Sequence, residues 1–414
     1  MTAANFHLLA KPTGAACNLD CKYCFFLSKD NLYPGSRFRM SDEVLEAYVA
    51  QLLAAHGPGE VTVAWQGGEP TLMGLEFFER SVDLVRKYKK PGQSILYTVQ
   101  TNGILLDDRW AQFFKRHRFL VGLSVDGPRQ MHDAFRVAKG GRGSFDQVIR
   151  AWDCLRRAGV EVNILCCVHA ANGDHGGEVY RFFRDEMGAR YLQFIPIVER
   201  VTRETIERAN RGWSSRPGGE RPLYMQDGDL VTERSVRPEQ YGRFLSEIFD
   251  EWIQRDVGDV FVQSFDAALA NWIGQPSLCL FAPTCGDAPA LEHNGDLYSC
   301  DHYVEPDYLL GNIREQGMAE LVASPRQRKF GQDKADSLPR YCKDCDVLFA
   351  CFGECPRNRF LTAPDGEEGL NYLCTGYKGF FRHISPAMDK MAGLLRMGRP
   401  ASDIMMSSLH EKVS

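Results

Sequence analysis

Residues 17–24 read CNLDCKYC, which sets Cys17, Cys21 and Cys24 in a C-x3-C-x2-C pattern after an apolar, β-prone run at Phe6–Leu9. Thiolates are soft ligands that suit iron–sulfur clusters or zinc. A structural zinc site closes its coordination with four ligands. No further Cys or His follows before His56. On a cluster whose usual ligation is by four cysteines, three leave one iron open to a small molecule. The alternative is a zinc site completed by a distant residue such as His7.

Outward from this loop, short apolar runs alternate with helical patterns. The expected strands are Phe6–Leu9, Val61–Trp65, Ile95–Val99, Leu120–Val125, Val160–Cys166 and Tyr191–Ile195. The expected helices cover 41–55, 75–89, 107–116, 144–158 and 176–187, with Ser41 as an N-cap. Such alternation specifies an α/β fold with a parallel sheet, and both a partial barrel and an open doubly wound sheet fit it. Residues 200–236, rich in Arg, Gly, Pro and Asp, read as a long loop or insertion over a site. Helical patterns resume at 238–254 and 376–397, and between them the chain from 279 onward is rich in Cys, Gly and Pro.

The 414 residues carry 49 Lys and Arg against 54 Asp and Glu, a net charge of −5. Without a broad basic field, nucleic acid is not expected as a partner. No stretch approaches the roughly 18 apolar residues of a membrane helix. The start, MTAANFHLLAKPTG, lacks the pattern of a secretory signal, so a cytoplasmic protein is expected. There are 14 cysteines. Disulfide frameworks belong to small secreted domains, so clustered cysteines here read first as metal ligands.

Downstream, Cys342, Cys345, Cys351 and Cys355 give C-x2-C-x5-C-x3-C, followed by Cys374 and preceded by Cys279, Cys285 and Cys300. Eight cysteines make two four-ligand sites. Spacing permits several partitions, and zinc ribbons use similar C-x2-C knuckles. Cys154, Cys166 and Cys167, on a helix and a strand, read as small buried apolar residues.

The C-x3-C-x2-C loop, with Tyr23 before its third cysteine, resembles that of the radical S-adenosylmethionine superfamily. Gly67-Gly68-Glu69-Pro70 after the second strand resembles its GGEP segment, where glycine would let the backbone approach the ligand closely. Gln100–Gly103 and Ser124–Pro128 end the next two strands, where α/β folds place their sites. The resemblance implies a partial (β/α)6 TIM-like barrel, an open iron that chelates S-adenosylmethionine, and cofactor contacts from Tyr23, Gly67, Gly68, Glu69, Ser124, Arg136 and Val198. The downstream cysteines resemble a C-terminal SPASM domain. That implies two auxiliary iron–sulfur clusters, three [4Fe–4S] in all, with Cys279, Cys285, Cys300 and Cys355 holding one and Cys342, Cys345, Cys351 and Cys374 the other. The implied organisation is the barrel at 1–235 including the insertion, linking helices at 236–278, the SPASM domain at 279–375, and a C-terminal helix and tail at 376–414.

Within the superfamily, CNLDCKYCFF, QGGEPTLMGLEFFE, QTNGILLDD, FLVGLSVDGP, QFIPIVER and CDHYVEPDYLLGNI resemble the anaerobic sulfatase-maturating enzymes. These oxidise a cysteine or serine of a sulfatase to Cα-formylglycine. A 5′-deoxyadenosyl radical takes hydrogen from Cβ, a base removes the thiol or hydroxyl proton, and an auxiliary cluster accepts the second electron. The implied partners are a sulfatase polypeptide with a C-x-P-x-R or S-x-P-x-R segment and an electron donor such as a flavodoxin or ferredoxin.

Asp301, directly after Cys300, is the implied base, and His302 is its rival. A carboxylate beside an anionic cluster is expected to have a raised pKa. Phe26 stands where some relatives have tyrosine. The competing readings are a thioether-forming maturase, whose usual leader-binding domain does not fit in the sixteen residues before Cys17, an enzyme acting on a small molecule, and a non-catalytic zinc protein.

Overall fold

The computed structural model describes residues 6–213 and 223–406. The first half alternates strands with helices: β1 (Leu9–Lys11), α1 (Asp42–Ala55), β2 (Gly59–Trp65), α2 (Leu75–Tyr88), β3 (Gln93–Thr101), α3 (Asp108–His117) and β4 (Phe119–Ser124). Then come α4 (Arg129–Phe135), α5 (Phe145–Ala158), β5 (Glu161–Val168), α6 (Gly176–Arg181) and β6 (Tyr191–Pro196). Strands β1 to β6 pair in parallel in chain order. A doubly wound sheet reverses its order partway, so this sequential order makes a partial barrel. Its helices pack on apolar faces. Trp65, for example, is buried against Tyr48, Phe77 and Phe78.

Strands β2 to β6 fall where the sequence places them, with ends moved by at most two residues, whereas β1 shares only Leu9 with the expected Phe6–Leu9. Ser41 caps α1 through its side chain, which accepts from Val44 N at 3.4 Å. The helix expected at 176–187 is α-helical only to Arg181 and continues as a π turn over Phe182–Met187.

The insertion at 200–236 is more ordered than a loop. β7 (Arg200–Val201) pairs antiparallel with β8 (Leu230–Val231), and α7 (Ile206–Asn210) lies between them. Glu199 and Arg234, both buried, pair at 2.9 Å beneath this flap. The part of the insertion at 214–222 is outside the described residues. Next come α8 (Pro238–Arg255), β9 (Phe261–Val262), which extends the sheet beyond β6, and α9 (Gln263–Trp272).

The Cys-rich segment holds short strands and helices. β10 (Ala290–Glu292) joins the free edge of β1 in parallel, and β11 (Asp296–Tyr298) and β12 (Leu309–Asn312) follow antiparallel, giving a ten-stranded sheet. Strands of three or four residues show no periodicity to read. Short helices follow: α10 (Met318–Val322), α11 (Pro325–Asp336), α12 (Arg340–Lys343) and α13 (Leu348–Cys351). The hairpin β13 (Arg359–Thr362) and β14 (Glu368–Asn371) leads into α14 (Cys374–Arg396), which packs on α8 and α9 and starts two residues earlier than expected. One apolar core runs from Phe6 to Ile404 and includes residues of both halves.

Candidate active site

The loop after β1 carries Cys17, Cys21 and Cys24, half-buried or buried. Backbone bonds fix it on two sides. Asp20 and Lys22 donate to the carbonyls of Val137 and Phe135, while Gly68 and Glu69 donate to those of Gly14 and Ala16. A Cβ at Gly68 would lie 2.0 Å from the Ala16 oxygen. Glycine at that position is therefore required by the cysteine loop itself, a different reason from the expected close approach to a ligand. Glu69 is wholly buried, and its carboxylate is occupied. It accepts from Thr71 N at 3.0 Å, Thr101 Oγ1 at 2.8 Å, Asn102 N at 2.8 Å and Thr71 Oγ1, tying the ends of β2 and β3 together.

The three thiols sit close enough to act on one another. Burial, then Glu69 and Cys24, push the Cys17 thiol up to about 12. Burial also raises Cys21, with Cys24 and Cys17 adding to it while Arg136 opposes. Converging thiols disfavoured as bare anions fit a cationic group that would deprotonate them.

Beside this loop lies a buried polar hub. Asp126, after β4, accepts from Tyr23 Oη at 2.6 Å, Arg136 Nε at 2.9 Å and Cys167 N at 2.9 Å. Burial alone would push its carboxyl up, but Arg136 and His169 hold it well below the usual range. Arg136, expected among the cofactor contacts, thus spends Nε on Asp126, and its Nη2 lies 3.5 Å from Cys167 Sγ. Cys167 is correspondingly more than apolar filler, whereas Cys154 and Cys166 are buried in the core as expected. Ser124 ends β4 half-buried. Val198 and Tyr23 line a small pocket with Phe25, Gln226, His302 and Arg357.

Asp301 is brought to the ends of β1 and β2. One carboxylate oxygen is bonded by Lys11 Nζ, and the other accepts from Gln66 Nε2 at 3.3 Å. The Lys11 ammonium also stands 4.1 Å from the centre of the Phe26 ring, so the phenylalanine that replaces a tyrosine makes a cation–π contact. Burial pushes the Asp301 carboxyl up, but the Lys11 ammonium outweighs it, and the group lies below its ordinary range. Burial brings His302 down to about 3, so it is a neutral imidazole, and its Nδ1 is 3.9 Å from Cys355 Sγ.

The structure gathers the eight downstream cysteines into two sets. Cys355 and Cys279 act on Cys300, and Cys279 acts on Cys285. Cys342, Cys345, Cys351 and Cys374 line one pocket with Tyr341 and Tyr377. Among the described residues no three His, Cys, Asp or Glu side chains are placed to hold a single metal ion.

The radical SAM superfamily model matches residues 12–183, and the SPASM iron–sulfur cluster-binding model matches 284–346. The serine-type anaerobic sulfatase-maturating enzyme of Bacteroides thetaiotaomicron is 43% identical over 97% of this chain and 95% of its own. The chain belongs to this family. The cysteine-type enzyme of Clostridium perfringens is 35% identical over 94% of this chain and 99% of its own. A solved structure of native anSMEcpe with bound AdoMet and Cp18Cys peptide gives a TM-score of 0.78 at 34% identity, covering 94% of this chain and 99% of that one. Sequence reading of this family member missed Lys11, Gln66 and Asp126. Lys11 ends the first strand, next to the cysteine loop, and a lysine at the end of a short apolar strand was the signal available.

Proposed function

We propose that the chain oxidises a cysteine or serine of a sulfatase polypeptide to Cα-formylglycine without oxygen, and that Asp301 takes the thiol or hydroxyl proton. The observation that carries this reading is one half-buried carboxylate, on the residue after Cys300, held against Lys11 and Gln66 at the ends of β1 and β2. Bound S-adenosylmethionine and a [4Fe–4S] cluster supply a 5′-deoxyadenosyl radical able to take the Cβ hydrogen, and auxiliary [4Fe–4S] clusters supply an acceptor for the remaining electron. Cys17, Cys21 and Cys24 would hold the first of three clusters. Cys279, Cys285, Cys300 and Cys355 would hold the second, and Cys342, Cys345, Cys351 and Cys374 the third. Tyr23, Gly67, Gly68, Glu69, Ser124, Arg136 and Val198 would surround the cofactor.

The chain's own groups handle the proton. Lys11 keeps Asp301 ionised before substrate arrives, and Gln66 fixes the second oxygen so that the carboxylate cannot rotate away. A lowered pKa still suffices, because loss of the Cβ hydrogen makes the adjacent hydroxyl or thiol a stronger acid. Serine then gives the aldehyde directly, and cysteine gives a thioaldehyde that water hydrolyses. The flap over Glu199 and the pocket at Arg357 would flank a peptide carrying C-x-P-x-R or S-x-P-x-R. A flavodoxin or ferredoxin in the cytoplasm would supply the reducing electron. No helix among the described residues is long and apolar enough to cross a membrane.

The test is anaerobic incubation of reconstituted protein with S-adenosylmethionine, reductant and either peptide, read by mass spectrometry. Aldehyde and 5′-deoxyadenosine are expected together. Cofactor cleavage with both peptides left unchanged would overturn the reading.

A further inference from the structure

Two cations are buried in the Cys-rich half with no carboxylate at ion-pair distance among the described residues: Lys334 is 1% exposed and Arg359 9%. A buried charge is costly unless something of opposite sign compensates it. Lys334 lies in the last turn of α11 and donates from Nζ to the carbonyls of Cys279 and, at 2.9 Å, Leu280. These neutral acceptors leave its charge uncompensated. Burial pushes the ammonium below the lysine range, and the thiols of Cys285, Cys355 and Cys279 push it back. The placement is rigid. Cys285 N donates to Gly331 O at 3.2 Å, and a Cβ on Gly331 would lie 2.1 Å from Cys285 O.

Arg359, the first residue of β13, donates to the carbonyls of Gly353 (2.8 Å), Phe352 (2.8 Å), Glu354 (3.1 Å) and Lys334 (2.6 Å). Three consecutive carbonyls fold around one guanidinium, and all three residues are left-handed, with φ of 46°, 69° and 51° for 352, 353 and 354. This strained turn joins Cys351 of one set to Cys355 of the other. The Glu354 carboxylate is held instead by Asn371 at 2.7 Å and Asn358 at 3.0 Å. Burial lowers the guanidinium, while Glu354 and the thiols of Cys342, Cys355 and Cys351 raise it, so Arg359 stands between the two sets.

We infer that Lys334 and Arg359 raise the reduction potentials of the iron–sulfur groups held by the two downstream cysteine sets, and so make them the electron sink. The inference rests on the reading that these sets bind clusters. One-electron reduction of a thiolate-ligated cluster adds a negative charge and no atom, and net charge and hydrogen bonding are what set its potential. The electron comes from the substrate carbon that has lost hydrogen, and the proton of the adjacent hydroxyl or thiol goes to Asp301.

The test is a redox titration followed by electron paramagnetic resonance on the full chain with Cys17, Cys21 and Cys24 replaced by Ala, so that only downstream groups report. Iron analysis of this parent comes first. About eight irons per chain support the cluster reading, and none would refute that reading before the charges are tested. Lys334→Gln keeps a hydrogen-bond donor and removes the charge. It is expected to make reduction of one group about tenfold less favourable, 59 mV for one electron. Lys334→Arg should stay near the parent, and Arg359→Gln should lower both groups. Parent potentials in an iron-replete Lys334→Gln or Arg359→Gln, or an equal shift in Lys334→Arg, would overturn the inference. Iron loss in both Gln variants, with retention in Lys334→Arg and Arg359→Lys, supports the same charge requirement. Loss in all four overturns it.

Discussion

The barrel mouth and the Cys-rich half balance charge in opposite ways. At the mouth the buried cations are paired with carboxylates: Asp126 holds Arg136, and Asp301 holds Lys11. In the Cys-rich half Lys334 and Arg359 bond to backbone carbonyls, with no carboxylate at ion-pair distance among the described residues. The mouth is therefore expected to form before any cofactor arrives, and the downstream half to be completed by anionic groups. Part of that half is already secured, because β10–β12 are built into the barrel's sheet.

This contrast can be broken at several points. Removing iron by chelation should open the segment after β12, from residue 313 to 375, to protease while β1–β6 stay protected, as read by hydrogen exchange. Equal protection in both regions would end the contrast. Asp301→Asn should keep all iron yet lower aldehyde formation by roughly 10²–10⁴-fold, the usual contribution of a general base. Undiminished turnover would remove Asp301 from the proton transfer. Asp126→Asn leaves Arg136 uncompensated and weakens the Tyr23 bond, so it should cost about 3–5 kcal/mol in denaturant unfolding and weaken S-adenosylmethionine binding. A loss under about 1 kcal/mol would mean the hub is solvated in solution. Cys154→Ala should change stability by no more than about 1 kcal/mol and iron content not at all. Any loss of iron there would add a ligand the structure does not place.

Much of this was legible in the chain. Strands β2 to β6 announce themselves because β-branched and aromatic runs alternate with amphipathic helices. The cysteine spacings pointed to clusters for chemical reasons, since soft ligands came in threes and fours. What stayed hidden is long-range or very short. Lys11 and Asp301 meet across 290 residues, a contact that chain order does not announce. The three-residue strands β10 and β11 carry no period. The role of Gly68 depends on the Ala16 carbonyl, which no local pattern reveals.

The central claim is that hydrogen leaves the substrate Cβ for a 5′-deoxyadenosyl radical generated at Cys17, Cys21 and Cys24. A C-x-P-x-R or S-x-P-x-R peptide deuterated at that Cβ, turned over anaerobically with S-adenosylmethionine, tests it in one mass spectrum. The account predicts deuterium in 5′-deoxyadenosine in step with the aldehyde. Aldehyde formed while 5′-deoxyadenosine stays unlabelled would contradict it.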